Sequence, residues 1–183
     1  MPDTSRLFFA LWPDDKTRKT LSRLTQSVSA QTLKWVKPYN FHVTLVFLGS
    51  VDKDTEALIK LAAADINAQP FTLTFDALNY WSKPKVLCLT CRQPAPEPAV
   101  MLASQLRAAA ENLGLHTDER PYTPHITLAR HVRHLPQTVI EPVTWQAEAF
   151  CLVESCSEPE GVFYKVIQQW PFIKPGANPG QYL

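Results

Sequence analysis

The sequence is poor in glycine and has no long apolar run. Only five glycines occur among 183 residues. None of them forms the GxGxxG or GxxxxGK[ST] loops that cradle dinucleotides or nucleoside triphosphates. No stretch approaches the ~20 apolar residues that span a membrane, and the polar start from Met1 to Arg6 lacks an apolar signal core. These absences predict a cytoplasmic protein that has neither a membrane anchor nor a nucleotide cofactor.

Cysteine is scarce and poorly arranged for chemistry. The chain contains four cysteines: Cys88, Cys91, Cys151 and Cys156. The Cys88–Cys91 spacing occurs in zinc sites, but residues three apart in a strand point to opposite faces. His131 and His134 have a similar spacing, and we assign them to a loop. The sequence also lacks a GxSxG nucleophile motif, and thiols in aliphatic surroundings stay inert. We therefore predict neither a metal site nor a nucleophilic cysteine, and reduced thiols in the cytosol.

Acidic residues are missing from two windows of the chain. The net charge is only +1. From Lys16 to Val51, however, there are six basic residues and no acid, and from Arg120 to Ile140 there are three arginines and no acid. A locally positive surface on a nearly neutral protein suits a phosphate-bearing substrate. Chance clustering on a solvated face is the alternative explanation.

Each acid-free window contains one copy of a short motif. Phe41-His42-Val43-Thr44-Leu45 returns 83 residues later as Pro124-His125-Ile126-Thr127-Leu128. Side chains alternate between the two faces of a strand, so each copy buries an aliphatic row and presents an imidazole beside a hydroxyl. Two such histidines can serve as general acid and general base in phosphodiester cleavage. The hydroxyls of Thr44 and Thr127 can donate hydrogen bonds to the phosphoryl oxygens.

Arg130 is a candidate clamp for the phosphate, because a guanidinium can bind two phosphoryl oxygens at once. Simple alternation places Arg130 on the strand face opposite His125. The strand must therefore bulge or end near Ala129 if Arg130 is to reach the substrate. Other side chains beside the motifs are candidates for stacking on a base or contacting backbone phosphate: Trp35, Tyr39, Phe41, Tyr122, Lys34 and Lys37.

Hydrophobic periodicity and turn residues predict the element order β-α-β-α-β-β-α-β-β-β. We expect His131–Pro142 to be a loop and the strands to cover Arg6–Trp12, Phe41–Leu48, Phe71–Tyr80, Val86–Cys91, the second motif copy at Pro124–Leu128, Ala147–Glu154 and Val162–Trp170, with Leu33–Val36 as a further short strand. The fold class is α+β, with two similar antiparallel-sheet lobes, outer helices and an approximate two-fold axis. The two motif strands face each other across a central cleft. Residues 1–172 form this single domain, and residues 173–183 form a coil tail.

The paired motifs resemble those of a known family. Together with Arg6–Ala10, Trp35, Phe47-Leu48-Gly49 and Thr127–Arg130, they resemble the two-histidine (2H) phosphoesterases, specifically the bacterial RNA 2′,3′-cyclic phosphodiesterase (2′-5′ RNA ligase) family. The resemblance implies a bilobal fold with the active site between the lobes and chemistry without metal or ATP. It also implies opening of a 2′,3′-cyclic phosphate at an RNA end to a 2′-phosphate. Ligation of tRNA-half-like ends through a 2′-5′ bond is associated with the same family.

The resemblance also implies a role for each site residue. His42 would protonate the departing 3′ oxygen, His125 would activate water, and Thr44, Thr127 and Arg130 would hold the phosphate. The two histidine roles could be exchanged, because nothing in the sequence distinguishes the copies. Two alternatives stay open, a phosphodiesterase for small cyclic nucleotides and a non-catalytic RNA-binding module. We expect a monomer that acts on RNA ends, without a cofactor or a membrane partner.

Overall fold

The computed structural model describes residues 3–28, 33–159 and 161–173. Its helices are α1 (Asp15–Ser27), α2 (Lys53–Ala64) and α3 (Glu97–Asn112), and a 3₁₀ turn covers Pro38–Asn40. Its strands are β1 (Thr4–Leu11), β2 (Lys34–Trp35), β3 (Val43–Asp52), β4 (Phe71–Phe75), β5 (Ala77–Trp81), β6 (Val86–Thr90), β7 (His125–Arg130), β8 (Val143–Ala147), β9 (Ala149–Glu158) and β10 (Gly161–Pro171). None of the helices in these ranges is long and apolar enough to cross a membrane.

Two four-stranded sheets and one two-stranded ribbon organise these strands. The sheets have the orders β10-β9-β1-β3 and β2-β7-β6-β5, and the ribbon pairs β4 with β8. Every pairing is antiparallel. The triplet β9-β1-β3 in the first sheet corresponds to β5-β6-β7 in the second, and each triplet has a motif strand at the same end. The α+β class and the two antiparallel lobes are therefore confirmed.

The motif strands are held in place by a core that both sheets share. One face of each sheet packs with the helices into one buried cluster, which includes Phe9 and Val43 from the first sheet and Leu89 and Ile126 from the second. Removal of this apolar surface from water is the main favourable contribution to folding. The opposite faces of the two sheets carry the polar motif residues.

The sequence offers Asp14 or Asp15 as the cap of the first helix, Asp52 or Asp54 as the cap of the second, and Gly114 as the C-cap of the third. The carboxylate of Asp14 accepts a hydrogen bond from the amide of Thr17 at 2.7 Å, and α1 starts there. Asp52 accepts from the amide of Thr55 at 2.9 Å and caps α2 in the same way. Side-chain caps of this kind satisfy amides that have no partner within the helix. Gly114 follows α3 with φ +77°, a left-handed conformation that favours glycine at a helix end.

The predicted continuous strand over Phe71–Tyr80 is wrong. The strand ends at Phe75, and Asp76 then changes its direction. The Asp76 amide donates to the carbonyl of Thr90 at 3.1 Å, and its carboxylate accepts from the amide of Arg92 at 2.8 Å. As a result β4 pairs with β8 while β5 pairs with β6 in another sheet. Clean alternation covers only Phe71–Phe75, and the segment itself does not reveal that its continuation pairs in another sheet.

The strand predicted over Ala147–Glu154 is also divided in the structure. Val143–Ala147 forms β8, which the prediction missed, and β9 starts after Glu148 and continues to Glu158. The loop over His131–Pro142 is confirmed. Of the predicted tail, residues 174–183 lie outside the described residues. Ile173 is described, and its amide donates to the carbonyl of Ala68 at 2.8 Å.

Candidate active site

The two motif histidines are held by the same backbone interaction. The Nδ1 atom of His42 lies 2.7 Å from the carbonyl oxygen of Asn40, and Nδ1 of His125 lies 2.9 Å from the carbonyl oxygen of Thr123. A carbonyl can only accept, so Nδ1 carries the proton in each neutral imidazole. The Nε2 atom of each ring is then the one that can gain or lose a proton. For His42, Nε2 also lies 3.2 Å from the hydroxyl oxygen of Thr44.

A β-bulge in β7 brings Arg130 onto the same face as His125. Cys88 pairs with Thr127 and Leu87 pairs with Ala129, so Leu128 has no partner across the ladder. The extra residue shifts the alternation by one position. His125, Thr127 and Arg130 therefore pair with Thr90, Cys88 and Val86, which alternate on one face of β6. Arg130 is also exposed. The bulge that Arg130 needs in order to share the face of His125 is therefore present.

The first motif strand contains a bulge at the equivalent residue. Ala10 pairs with Thr44 and Phe9 pairs with Val46, which leaves Leu45 without a partner. Phe47 then pairs with Phe8 and shares a face with Thr44. Phe47 lies five residues after His42, as Arg130 lies five after His125. The two copies thus present an exposed phenyl ring and a guanidinium at equivalent positions, and the phenyl ring is 54% exposed.

Aromatic rings surround both imidazoles. Trp12 is nearly parallel to the His42 ring, with an interplanar angle of 13°, whereas Tyr164 meets it edge-on at 82°. His42 thus packs against three rings, whereas one ring, that of Trp81, packs against His125. The separations between ring centroids are 5.0 Å for His42–Tyr164, 5.1 Å for His42–Phe8, 5.8 Å for His42–Trp12 and 4.5 Å for His125–Trp81.

Burial and neighbouring positive charge lower the pKa of both histidines. Burial lowers the pKa of His42 to about 4, against the opposing effect of the Asn40 hydrogen bond. The positive charges of His125 and Arg130 lower the pKa of His42 further. Both groups belong to the second motif strand, so the charge of the second motif acts on the histidine of the first. Burial also lowers the pKa of His125, and the charge of Arg120 adds to that effect.

The side chain of Asn40 ties the first motif to the edge of the first sheet. Its amide nitrogen donates to the carbonyl of Val162 at 2.7 Å, and its amide oxygen accepts from the backbone N–H of Tyr164 at 3.1 Å. β10 is an edge strand, so these two backbone groups have no partner strand. The same residue thus positions His42 through its carbonyl and Tyr164 through its side chain. Asn40 was not among the site residues predicted from the sequence. Its position two residues before His42 was the one feature of the sequence that pointed to a role in the site.

Most of the aromatic residues predicted to flank the substrate do not line the cleft. Phe41 is buried, and Trp35 and Tyr122 pack against the core. Tyr39 is 49% exposed and contacts Phe163 instead. Lys34 does pair with Arg130 across β2 and β7, so it shares the face of the motif. The aromatic residues on the faces of the motif histidines come from segments far apart in sequence: Trp12, Phe47, Trp81 and Tyr164.

The cysteines are free thiols, and none is exposed. Cys88 is buried on the face of Thr127, with 3.8 Å between its sulfur and the Thr127 hydroxyl. Burial raises the pKa of the Cys88 thiol to about 11, so the thiolate is disfavoured. Within residues 3–28, 33–159 and 161–173, no three His, Cys, Asp or Glu side chains come together as a metal site would require.

The chain matches a family model twice in succession. The model described as LigT like Phosphoesterase covers residues 11–88 and again residues 89–164. One motif histidine falls within each match. The division of the chain into two related halves, inferred from the repeated motif, is thus visible in the family comparison as well.

Named relatives and solved structures agree with this match. The RNA 2′,3′-cyclic phosphodiesterase of Escherichia coli (strain K12) is 35% identical over 131 residues, which cover 71% of this chain and 74% of the relative. A crystal structure described as a phosphoesterase superposes with a TM-score of 0.84 at 30% identity, covering 93% of this chain and 99% of the other. E. coli LigT complexed with 3′-AMP gives a TM-score of 0.83 at 30% identity, with 93% and 99% covered.

Replacing Asn40 with alanine should loosen both His42 and the edge strand. The N–H of Tyr164 and the carbonyl of Val162 lose their partners, which costs about 1–3 kcal/mol of unfolding free energy. The Tyr164 amide should exchange with solvent faster, and the NMR signals of the His42 ring should broaden or move. Asn40→Asp keeps the acceptor for Tyr164 and should protect that amide more than alanine does. Unchanged Tyr164 exchange in Asn40→Ala would refute this positioning role.

Stability should fall as the pH falls from about 6.5 to about 4. In that window the unfolded chain protonates His42, whereas the folded chain, with a pKa of about 4 there, does not. The unfolded state therefore binds more protons, and up to about 3 kcal/mol is lost across the window. Urea denaturation at several pH values measures this loss. His42→Gln should remove much of the dependence, whereas His134→Gln, at an exposed position, should leave it intact.

Proposed function

This chain belongs to the LigT-like phosphoesterase family, and we propose that it hydrolyses 2′,3′-cyclic phosphates at RNA ends to 2′-phosphomonoesters. One observation carries this proposal. Two imidazoles with equivalent Nδ1 anchors present their Nε2 atoms on strand faces that also carry Thr44, Thr127 and Arg130. The relatives named RNA 2′,3′-cyclic phosphodiesterase support the substrate class.

The reaction requires one base and one acid on opposite sides of the phosphorus atom. We assign His125 Nε2 as the base that takes a proton from the attacking water. His42 Nε2 then gives a proton to the 3′ oxygen as its bond to phosphorus breaks, which leaves the phosphate on the 2′ oxygen. The hydroxyls of Thr44 and Thr127 donate to the non-bridging oxygens, whose negative charge they stabilise. The family resemblance supplies the direction of this assignment.

The low pKa of His42 is consistent with a role as acid only when substrate is bound. Burial opposes the imidazolium form at His42. A phosphodiester anion placed against Nε2 favours the charged form and offsets that effect, since an opposite charge within a few ångströms raises a histidine pKa. The proton on His42 and the anionic substrate therefore enter the site together. His42 and His125 exchange one proton during the reaction, so the apparent pKa values of the cycle describe the histidine pair and not either residue alone.

Arg130 and Phe47 make the two halves of the cleft chemically different. We assign Arg130 to the phosphate, because a guanidinium forms two charge-assisted hydrogen bonds with phosphoryl oxygens. A phenyl ring cannot do so, and the exposed ring of Phe47 offers a flat apolar surface on which a nucleobase can stack. The substrate would thus lie with its phosphate toward β7 and its base toward β3.

The same geometry permits ligation in principle. If the 5′ hydroxyl of a second RNA replaces water, His125 removes its proton and the 3′ oxygen departs as before. The product is then a 2′-5′ phosphodiester, and the reverse step restores the cyclic phosphate. We propose hydrolysis as the main reaction, because water is far more concentrated than any RNA end. Substrates such as tRNA halves would supply ends of the required chemistry.

The setting of the reaction follows from its substrate and from the cysteines. We propose that the protein is a cytoplasmic monomer in which residues 1–172 form one catalytic unit. RNA ends are abundant in the cytoplasm, and reducing conditions there keep thiols free, as Cys88, Cys91, Cys151 and Cys156 are. The motif strands of both lobes belong to one chain, so a single copy carries both histidines.

Replacing either histidine with alanine should abolish most of the turnover. The substrate is an oligonucleotide with a 2′,3′-cyclic phosphate end, assayed with a metal chelator present. Loss of a general acid or base lowers kcat by about 10²- to 10⁴-fold. His134→Ala, which removes an exposed histidine, serves as the control. Full turnover in both His42→Ala and His125→Ala would exclude the mechanism, and equal rates on mononucleotide and oligomer would favour small cyclic nucleotides.

Arg130→Gln should lower kcat/KM by about ten- to a hundredfold. One charge-assisted hydrogen bond contributes about 1.5–3 kcal/mol, and 1.4 kcal/mol corresponds to a factor of ten. Arg133→Gln removes the same charge from an exposed loop position and should change kcat/KM less than twofold. If the two variants behave alike, Arg130 acts only through its long-range field and the clamp assignment is incorrect.

A further inference from the structure

A groove of about 680 Å³ lies beside the second motif. It is formed by α3, the loop that precedes α3 and the segment that leads into β7. Thr123 connects the groove with the active site. It is one of the residues that line the groove, and its carbonyl oxygen accepts the hydrogen bond from Nδ1 of His125 at 2.9 Å. Two residues of extended chain span about 7 Å. The groove therefore starts close to the imidazole that we assign as the base.

The lining of the groove contains two arginines and no acid. Within the described part of the chain, neither Arg92 nor Arg107 belongs to an ion pair. One Nη atom of Arg107 donates to the backbone carbonyl of Arg120 at 3.1 Å, which orients the guanidinium and leaves its remaining N–H donors for a ligand. Asp118 lies near Arg107, but its carboxylate is bound by Arg120. The groove is thus positive and suited to an anion.

Tyr122 lines the groove and adds an unpaired polar atom beneath its surface. Its hydroxyl is shielded from solvent and has no hydrogen-bond partner among the described residues. A buried hydroxyl without a partner costs free energy, so a polar ligand atom would supply an interaction that the protein does not. Apolar atoms of Val100, which is 42% exposed, and of Pro94 complete the lining. Charge, an unpaired phenol and apolar surface together match a nucleotide.

We propose that this groove binds the RNA strand on the 5′ side of its cyclic phosphate. Arg92 and Arg107 contact one backbone phosphate, and the attached base lies against Val100 and the Tyr122 ring. The groove would thereby let the protein favour an RNA end over a free cyclic mononucleotide. This inference rests on the proposed function, because it assumes that the cyclic phosphate sits between His42 and His125.

A second basic surface near the first motif provides a matched control. A groove of about 450 Å³ is lined by Lys19 and Arg23 on α1 and by Pro38. There Arg18 is already paired with Asp15 at 3.0 Å, so that lining includes an acid. Lys19→Gln/Arg23→Gln removes as much charge as Arg92→Gln/Arg107→Gln does. A comparison of the two double variants therefore distinguishes direct contact between RNA and the groove from long-range attraction of RNA to a positive protein.

The kinetic experiment compares two substrates for the wild type and both double variants. One substrate is a cyclic mononucleotide, and the other is an oligonucleotide with the same nucleotide at its 2′,3′-cyclic end. For Arg92→Gln/Arg107→Gln we expect kcat/KM on the oligomer to fall at least about tenfold, the size of one charge-assisted hydrogen bond. Turnover of the mononucleotide should change less than about twofold, which also shows that the variant folds. Tyr122→Phe should lower only the oligomer rate as well.

A binding experiment tests the groove without any turnover. The probe is a 5′-fluorescent oligonucleotide with a 2′-phosphate end, and its affinity is followed by anisotropy over a range of salt concentrations. In Arg92→Gln/Arg107→Gln, the slope of log K against log salt should become shallower by about 0.7 for each phosphate that the protein no longer neutralises. If the wild type turns over neither substrate, the proposed function is wrong. The anisotropy experiment then tests by itself whether the groove binds RNA.

Three results would overturn the inference. The first is an equal decrease on mononucleotide and oligomer in Arg92→Gln/Arg107→Gln, which would place the effect at the cyclic phosphate. The second is unchanged oligomer binding in the same variant. The third is an equal decrease in Lys19→Gln/Arg23→Gln, which would show general electrostatic attraction.

Discussion

Two hydrogen bonds between a backbone carbonyl and Nδ1 determine what this cleft can do. They join His42 to Asn40 and His125 to Thr123. Each bond fixes the ring orientation and the tautomer together, so that Nε2 becomes the reactive nitrogen. In each copy the carbonyl belongs to the residue two positions before the histidine. The chemistry therefore depends on the conformation of the chain where it leads into each motif strand.

The two bulges make a repeated motif into an asymmetric site. Leu45 and Leu128 each lack a partner in their ladders, and each shift brings the residue five positions after the histidine onto the cleft face. In one copy that residue is Phe47, and in the other it is Arg130. A duplicated backbone thus supplies equivalent positions, while single side-chain differences divide the site between base stacking and phosphate binding. Natural sheets often use bulges to redirect a side chain at a functional site.

The histidines also connect function to stability. A buried neutral imidazole suits a pair that must exchange one proton, yet it opposes folding once the pH falls far enough to protonate the unfolded chain. Asn40 limits this cost, since its side chain secures the edge of β10 while its carbonyl holds His42. The residues that position the site are therefore also residues on which local stability depends.

The motif pair, the two-lobed α+β class and the helix caps at Asp14 and Asp52 could all be predicted from the amino-acid sequence. These features depend on local periodicity, on side-chain hydrogen bonds within one turn and on a repeat that is visible without any structure. The folded chain was needed to show that Arg130 faces His125, that the strand after Phe71 changes sheets at Asp76, and that Trp12, Trp81 and Tyr164 surround the imidazoles. A bulge is a property of the pairing between two strands, and the partner strand is distant in sequence. Alternation within one strand therefore cannot show where the register shifts.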